Sequence, residues 1–218
     1  MMMAAHKWLA GLALLGLASP AAIADETPIP TIEAGTSVYW TSNFGGSVSD
    51  FRERVVAVGD DWVLYESIVD DSWDTEDAAP AENLFLLFSG IDYRSCLDSK
   101  LPTREERDAL IALRPFTPGD TVELTSLDNR PTVTVGEAEE YFLMGANRPA
   151  HRINFNFADD ETPDENLLVL DDADLTVLID WGDDGRDRVM AVRSGGTPQT
   201  FSDADLGVCA PILKEKHS

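Results

Sequence analysis

The sequence predicts a mainly β protein, an antiparallel β-barrel or β-sandwich with one short α-helix, and three observations carry that prediction. Apolar and polar residues alternate with period two through most of the chain after Thr36. Turns rich in glycine and aspartate separate the runs, and a single stretch near residue 104 carries helix start and stop signals.

The chain opens outside that fold. Lys7 is followed by an apolar run from Trp8 to Leu17, then Pro20 and the small-residue ending Ala22-Ile23-Ala24, so residues 1–24 read as a secretory signal peptide cleaved near Ala24-Asp25. The apolar run is short for a bilayer span. Residues 25–34, with Pro28 and Pro30, read as an extended N-terminal segment, and 35–218 as a single β-rich domain.

Within the domain, 51–58 and 62–69 are β-rich runs joined by Gly59-Asp60-Asp61, which is expected to supply the positive φ angles of a tight hairpin. Residues 84–88 are a short apolar run ending at Ser89-Gly90, with 91–94 as its return strand. One helix is predicted over 104–113. Thr103 caps its free amides, Glu106 completes a capping box and Pro115 stops it. Leu110, Ile111 and Leu113 are its only apolar residues in the second half apart from alanines, which places it against the outside or end of the sheet. Residues 121–124, 132–135 and 141–144 continue the strands. The alternation over 152–157 sets Ile153, Phe155 and Phe157 on one face and Arg152, Asn154 and Asn156 on the other. The clearest hairpin runs over 175–181, turns through Gly182-Asp183-Asp184-Gly185 and returns over 187–193.

Charge narrows the function classes. The chain holds 40 Asp and Glu against 16 Lys and Arg, for a formal charge of −24, and losing Lys7 with the leader makes it one unit more negative. Its arginines are scattered among more numerous acids, so neither nucleic acid nor an anionic lipid surface is an expected partner. Cys96 and Cys209 are expected to form a disulfide in a periplasmic or extracellular protein with no membrane span after signal cleavage. A catalytic thiol at either position lacks a neighbouring histidine.

Four sets of residues are candidates for function. Glu53 falls in register with Phe51, Val55 and Ala57, which puts a carboxylate on an apolar face where desolvation raises its pKa. With Asp180 as a second carboxylate it would suit glycosidase-like hydrolysis; the structural alternative pairs Glu53 with Arg52 or Arg54, or turns it out at a bulge. His151 would be the base of any Ser-His-Asp arrangement, or else a satisfied structural histidine. Gly-x-Ser-x-Gly, phosphate-loop and dinucleotide-binding motifs are absent from the sequence. Trp40, Trp62, Trp73 and Trp181, with Tyr39 and Tyr65, would line the mouth of a ligand-holding barrel, or else belong to its core. Asp70, Asp71 and Asp74, and Asp159 and Asp160, are weak calcium candidates whose spacing fits no EF-hand register, and solvated acidic loops are the alternative. Taken together, these features favour an exported, non-enzymatic binding or envelope-associated protein with a small ligand or an envelope protein as partner and no cofactor. A carboxylate-based hydrolase and a calcium-stabilised structural protein are the alternatives.

Overall fold

The computed structural model describes residues 28–69, 83–158 and 164–215. β1 (Ser37–Phe44) and β2 (Ser47–Val58) meet at Gly45-Gly46, whose φ angles of 55° and 82° build a two-residue type I′ turn that matches strand twist. β3 (Trp62–Val69), β4 (Leu84–Phe88) and β5 (Asp92–Ser95) follow, and α1 (Arg104–Ala112) then leaves the sheet. β6 (Thr121–Glu123), β7 (Thr132–Leu143), β8 (Ala146–Asn156), β9 (Glu165–Leu170), β10 (Thr176–Asp180) and β11 (Gly185–Arg193) return to it. A 3-10 turn (Gly207–Cys209) and α2 (Ala210–Leu213) close the described chain.

All eleven strands join one antiparallel sheet in the order β5-β4-β3-β2-β1-β11-β10-β9-β8-β7-β6. Every neighbour is also a sequence neighbour except β1 and β11, so two meanders are stitched together where Ser37 meets Arg193. The sheet does not close by hydrogen bonding, but it rolls until its inner face meets itself. Glu53, Tyr65, Leu87 and Tyr93 from the first meander share one cavity with Leu167, Leu175 and Ile179 from the second. The Thr176 hydroxyl also donates to the Gly90 carbonyl at 2.8 Å. Val38, Val55, Leu64, Ile153, Val169 and Val177 are fully buried in the core so formed.

Local details differ from expectation in instructive ways. Gly59 adopts no positive φ; a Cβ there would lie 2.3 Å from Cε2 of Trp62, so this glycine makes room for an indole rather than bending the backbone. The runs at 132–135 and 141–144 are one strand, β7, with an irregular register between Val135 and Ala138. β9 escapes the alternation test because Leu167, Leu168, Val169 and Leu170 are all buried, on both faces.

The capping box at α1 forms: Thr103 Oγ1 accepts from the Glu106 amide, and the Glu106 carboxylate accepts from the Thr103 amide. Leu110 and Leu113 are buried in the core while Ile111 is 41% exposed, and polar groups add to the docking of the helix. Arg107, almost wholly buried, donates to Asp61 at 2.8 Å, to the Pro102 carbonyl at 3.2 Å and to Glu215, and lies over the Phe88 ring. The expected Cys96–Cys209 disulfide is present, and the Val208 amide donates to the Cys96 carbonyl at 3.2 Å. The C-terminal segment is thereby fastened just beyond the end of edge strand β5. Residues 1–24, expected to be a signal peptide, Asp70, Asp71, Trp73 and Asp74, and Asp159 and Asp160 all lie outside the described residues. Among the described residues no helix is long and apolar enough to cross a membrane.

Candidate functional site

Strand alternation puts Val38 and Trp40 of β1 on the inner face, and the neighbouring strand answers with Glu53 and Val55. Glu53 is therefore inside, only 5% exposed. Neither arginine beside it reaches it: Arg54 points to Glu66 at 3.9 Å, and Arg52 makes no ion pair among the described residues. Two neutral donors hold the carboxylate instead. The Trp40 indole Nε1 donates to Oε2 at 2.9 Å, and the Tyr93 hydroxyl donates to Oε1. Burial pushes the Glu53 pKa up to about 7 against these two hydrogen bonds, and the nearby Asp187 charge adds to the rise. Burial, with Glu53 alongside, also raises the Tyr93 and Tyr65 hydroxyls.

The Tyr65 hydroxyl faces the same space and has no hydrogen-bond partner among the described residues. The cavity between these groups is about 10 Å³, room for roughly one water molecule. A polar cluster is thus sealed inside an otherwise apolar core.

Asp180 does not join it. Ile179 lines the cavity, so the next residue along β10 belongs to the opposite face. There Asp180 accepts from Arg186 at 2.5 Å and from the Gly182 amide at 3.1 Å. The two carboxylates needed for acid–base hydrolysis are not brought together. His151 pairs through Nδ1 with Asp171 Oδ1 at 2.7 Å and lies against the Phe116 ring, and it makes no hydrogen bond to a serine, threonine or cysteine among the described residues.

The described tryptophans are also dispersed. Trp40 stacks on Phe51 with ring centroids 5.8 Å apart, Trp62 packs over Gly59, and Trp181 lies half-buried at the β10–β11 turn. They share no common wall. Among the described residues no group of three or more His, Cys, Asp or Glu converges to hold a metal ion.

A surface concavity of about 610 Å³ lies between Ile29, Ile32, Val58 and Val63 and the loop at 171–174. Its prominent cation is already engaged: Arg114 donates to the carbonyls of Ser89, Leu170, Asp171 and Ala173, ion-pairs with Asp174 at 3.4 Å and lies over Phe116. Arg114 thus organises the loop.

Two features here were missed in the sequence. One is the pair of tyrosines around Glu53, which only the roll of the sheet brings together. The other is legible as a pattern: Arg52-Glu53-Arg54 and Arg186-Asp187-Arg188 each set an acid between two arginines. On a strand, the acid and the arginines must face opposite ways. The chain matches no protein-family model and no curated protein.

Proposed function

We propose that this protein is an exported binding module that recognises its partner on the outside of the rolled sheet and performs no hydrolysis. One observation carries the reading. The carboxylate best tuned for acid–base work, Glu53, is sealed by Trp40 and Tyr93 beside a cavity of about 10 Å³, far below the several hundred Å³ of a usual ligand pocket. The leader-like residues 1–24 and the Cys96–Cys209 bond support export to an oxidising compartment.

The test is a screen of the purified disulfide-bonded protein against chromogenic glycosides and esters from mildly acidic to mildly alkaline pH, alongside Glu53→Gln, Asp180→Asn and His151→Ala. The expected result is no turnover that depends on any of these residues. Turnover abolished by one of the substitutions would replace the binding reading with an enzymatic one. N-terminal sequencing of the exported protein should begin at Asp25.

A further inference from the structure

Glu53 stands where the inner faces of the two meanders meet, and the groups around it decide which charge state the closed roll accepts. None of those groups is a cation. From β1 the Trp40 indole donates to the carboxyl, and from β5 the Tyr93 hydroxyl does. β3 offers Tyr65, whose hydroxyl faces the same space with no hydrogen-bond partner among the described residues. The second meander contributes Leu167, Leu175 and Ile179, and the Thr176 hydroxyl beside them is already spent on the Gly90 carbonyl at 2.8 Å. From β11 comes a second acid, Asp187, whose Oδ1 is buried without a hydrogen-bond partner among the described residues. Arg52 and Arg54 belong to the opposite face of β2, where Arg54 meets Glu66.

These surroundings suit a neutral carboxyl and oppose an anion. Ionised, Glu53 is a buried charge with two neutral donors, no counterion and another acid alongside. Water is the remaining source of compensation, and a cavity of about 10 Å³ has room for roughly one molecule. More water reaches the carboxylate when the wall parts, and around Glu53 the second meander is held to the first by apolar packing rather than by bonds to the carboxyl. Each meander keeps its own ladder through such a parting, and the β1–β11 pairing joins them as a hinge.

We propose that Glu53 is a proton-controlled latch: protonated, it lets the two meanders close over their shared cavity, and ionised, it loosens their contact and admits water to the core. The proton passes to solvent on opening. The raised pKa supports this, since a carboxyl held at about 7 in the closed roll returns to its ordinary 4.5 once wetted. Ionisation then favours the open arrangement by up to about 300-fold. This latch works whether or not a partner binds the outer surface.

The experiment is hydrogen exchange of the Trp40 indole N–H, followed by NMR and expressed as protection relative to free tryptophan at the same pH. Protection should fall roughly thirtyfold between about pH 5.5 and about pH 8.5, levelling off above about 7. The Val55 amide, buried and bonded to the Thr36 carbonyl at 2.8 Å, reports global unfolding. Trp40 should exchange faster than Val55 predicts, and low urea should speed Val55 but not Trp40. Glu53→Gln carries no charge and should hold Trp40 protection constant with pH. Tyr93→Phe removes a hydrogen bond that favours the anion, so its levelling point should move up by about one pH unit. Glu165→Gln, at the other acid raised to about 7, should keep the wild-type fall. Melting temperatures verify folding, and if Glu53→Gln does not fold, the Tyr93→Phe shift decides. Protection that does not change with pH in the wild type would overturn the latch, as would an undiminished fall in folded Glu53→Gln or an unmoved levelling point in Tyr93→Phe. Loss of the fall in Glu165→Gln would assign the effect to that acid instead. Exchange of Trp40 that tracks Val55 in pH and in urea would also overturn it, because the roll would then open only by unfolding.

Discussion

At the scale of single residues, Glu53 is the group whose chemistry most shapes this protein. Its pKa in the fold, about 7, lies above its ordinary value of 4.5, so the folded state holds this proton more tightly than the unfolded chain does. Stability from this source is complete below about pH 4.5 and is lost as pH rises through about 7. A shift of this size corresponds to roughly 3 kcal/mol. Glu165, raised to about 7 by burial and by Asp92 against the opposing pull of Arg94, acts in the same direction. Urea unfolding should therefore show a wild-type protein more stable near about pH 5 than near about pH 8, and Glu53→Gln should remove much of that slope. An unaltered slope in the variant would mean that Glu53 does not titrate inside the fold. Glu106 works oppositely. Burial alone would raise its carboxyl, but hydrogen bonds from Ser126 and Thr103 outweigh that and bring it down to about 2, so its contribution is present above about pH 4.5 and fades as pH falls towards 2.

At the scale of elements, the helix and the hairpins give separate tests. Thr103→Ala removes an N-cap oxygen and half of the α1 capping box, with an expected loss of ~1 kcal/mol in denaturant unfolding. Gly59→Ala drives a methyl into the Trp62 indole, and a loss of ~1–3 kcal/mol is expected with a change in tryptophan fluorescence. A silent Gly59→Ala would show that the β2–β3 turn repacks freely. The same elements show where sequence reading succeeds. The capping box and the 182–185 turn are written locally, in residues a few positions apart, and so could be read directly. β9 could not, because a strand buried on both faces has no polar face to alternate. Gly59 misled for a related reason: its role depends on one side chain in the next strand rather than on its own backbone. Of the candidate site, the placement of Glu53 on the inner face followed from period two, whereas its partner Tyr93 lies 40 residues away and joins it only through the fold.

At the scale of the whole molecule, two meanders depend on one joint and one bridge. The β1–β11 pairing unites the start and end of the sheet, while Cys96–Cys209 closes a loop of 113 residues. Replacing both cysteines by serine should cost ~2–5 kcal/mol and expose the C-terminal segment to proteolysis. A double variant that melts with wild type would place the stability of this tail in the packing of Leu206, Ala210 and Ile212 and in the Arg107–Glu215 contact. Charge is also organised at this scale: the acids of the two Arg-acid-Arg triplets turn inward and come close enough for Asp187 to raise Glu53, while their arginines turn outward on the face that β1 bisects.

The most direct measurement is native mass spectrometry of the chain exported to and purified from a bacterial periplasm. A binding protein with a filled interior should appear at the mass of residues 25–218, less the two hydrogens of the Cys96–Cys209 bond, with no small organic molecule retained. A drug-sized molecule that stays bound until unfolding would contradict the sealed interior. If Glu53→Gln or Tyr65→Phe released it, recognition would lie within the roll of the sheet rather than on its surface.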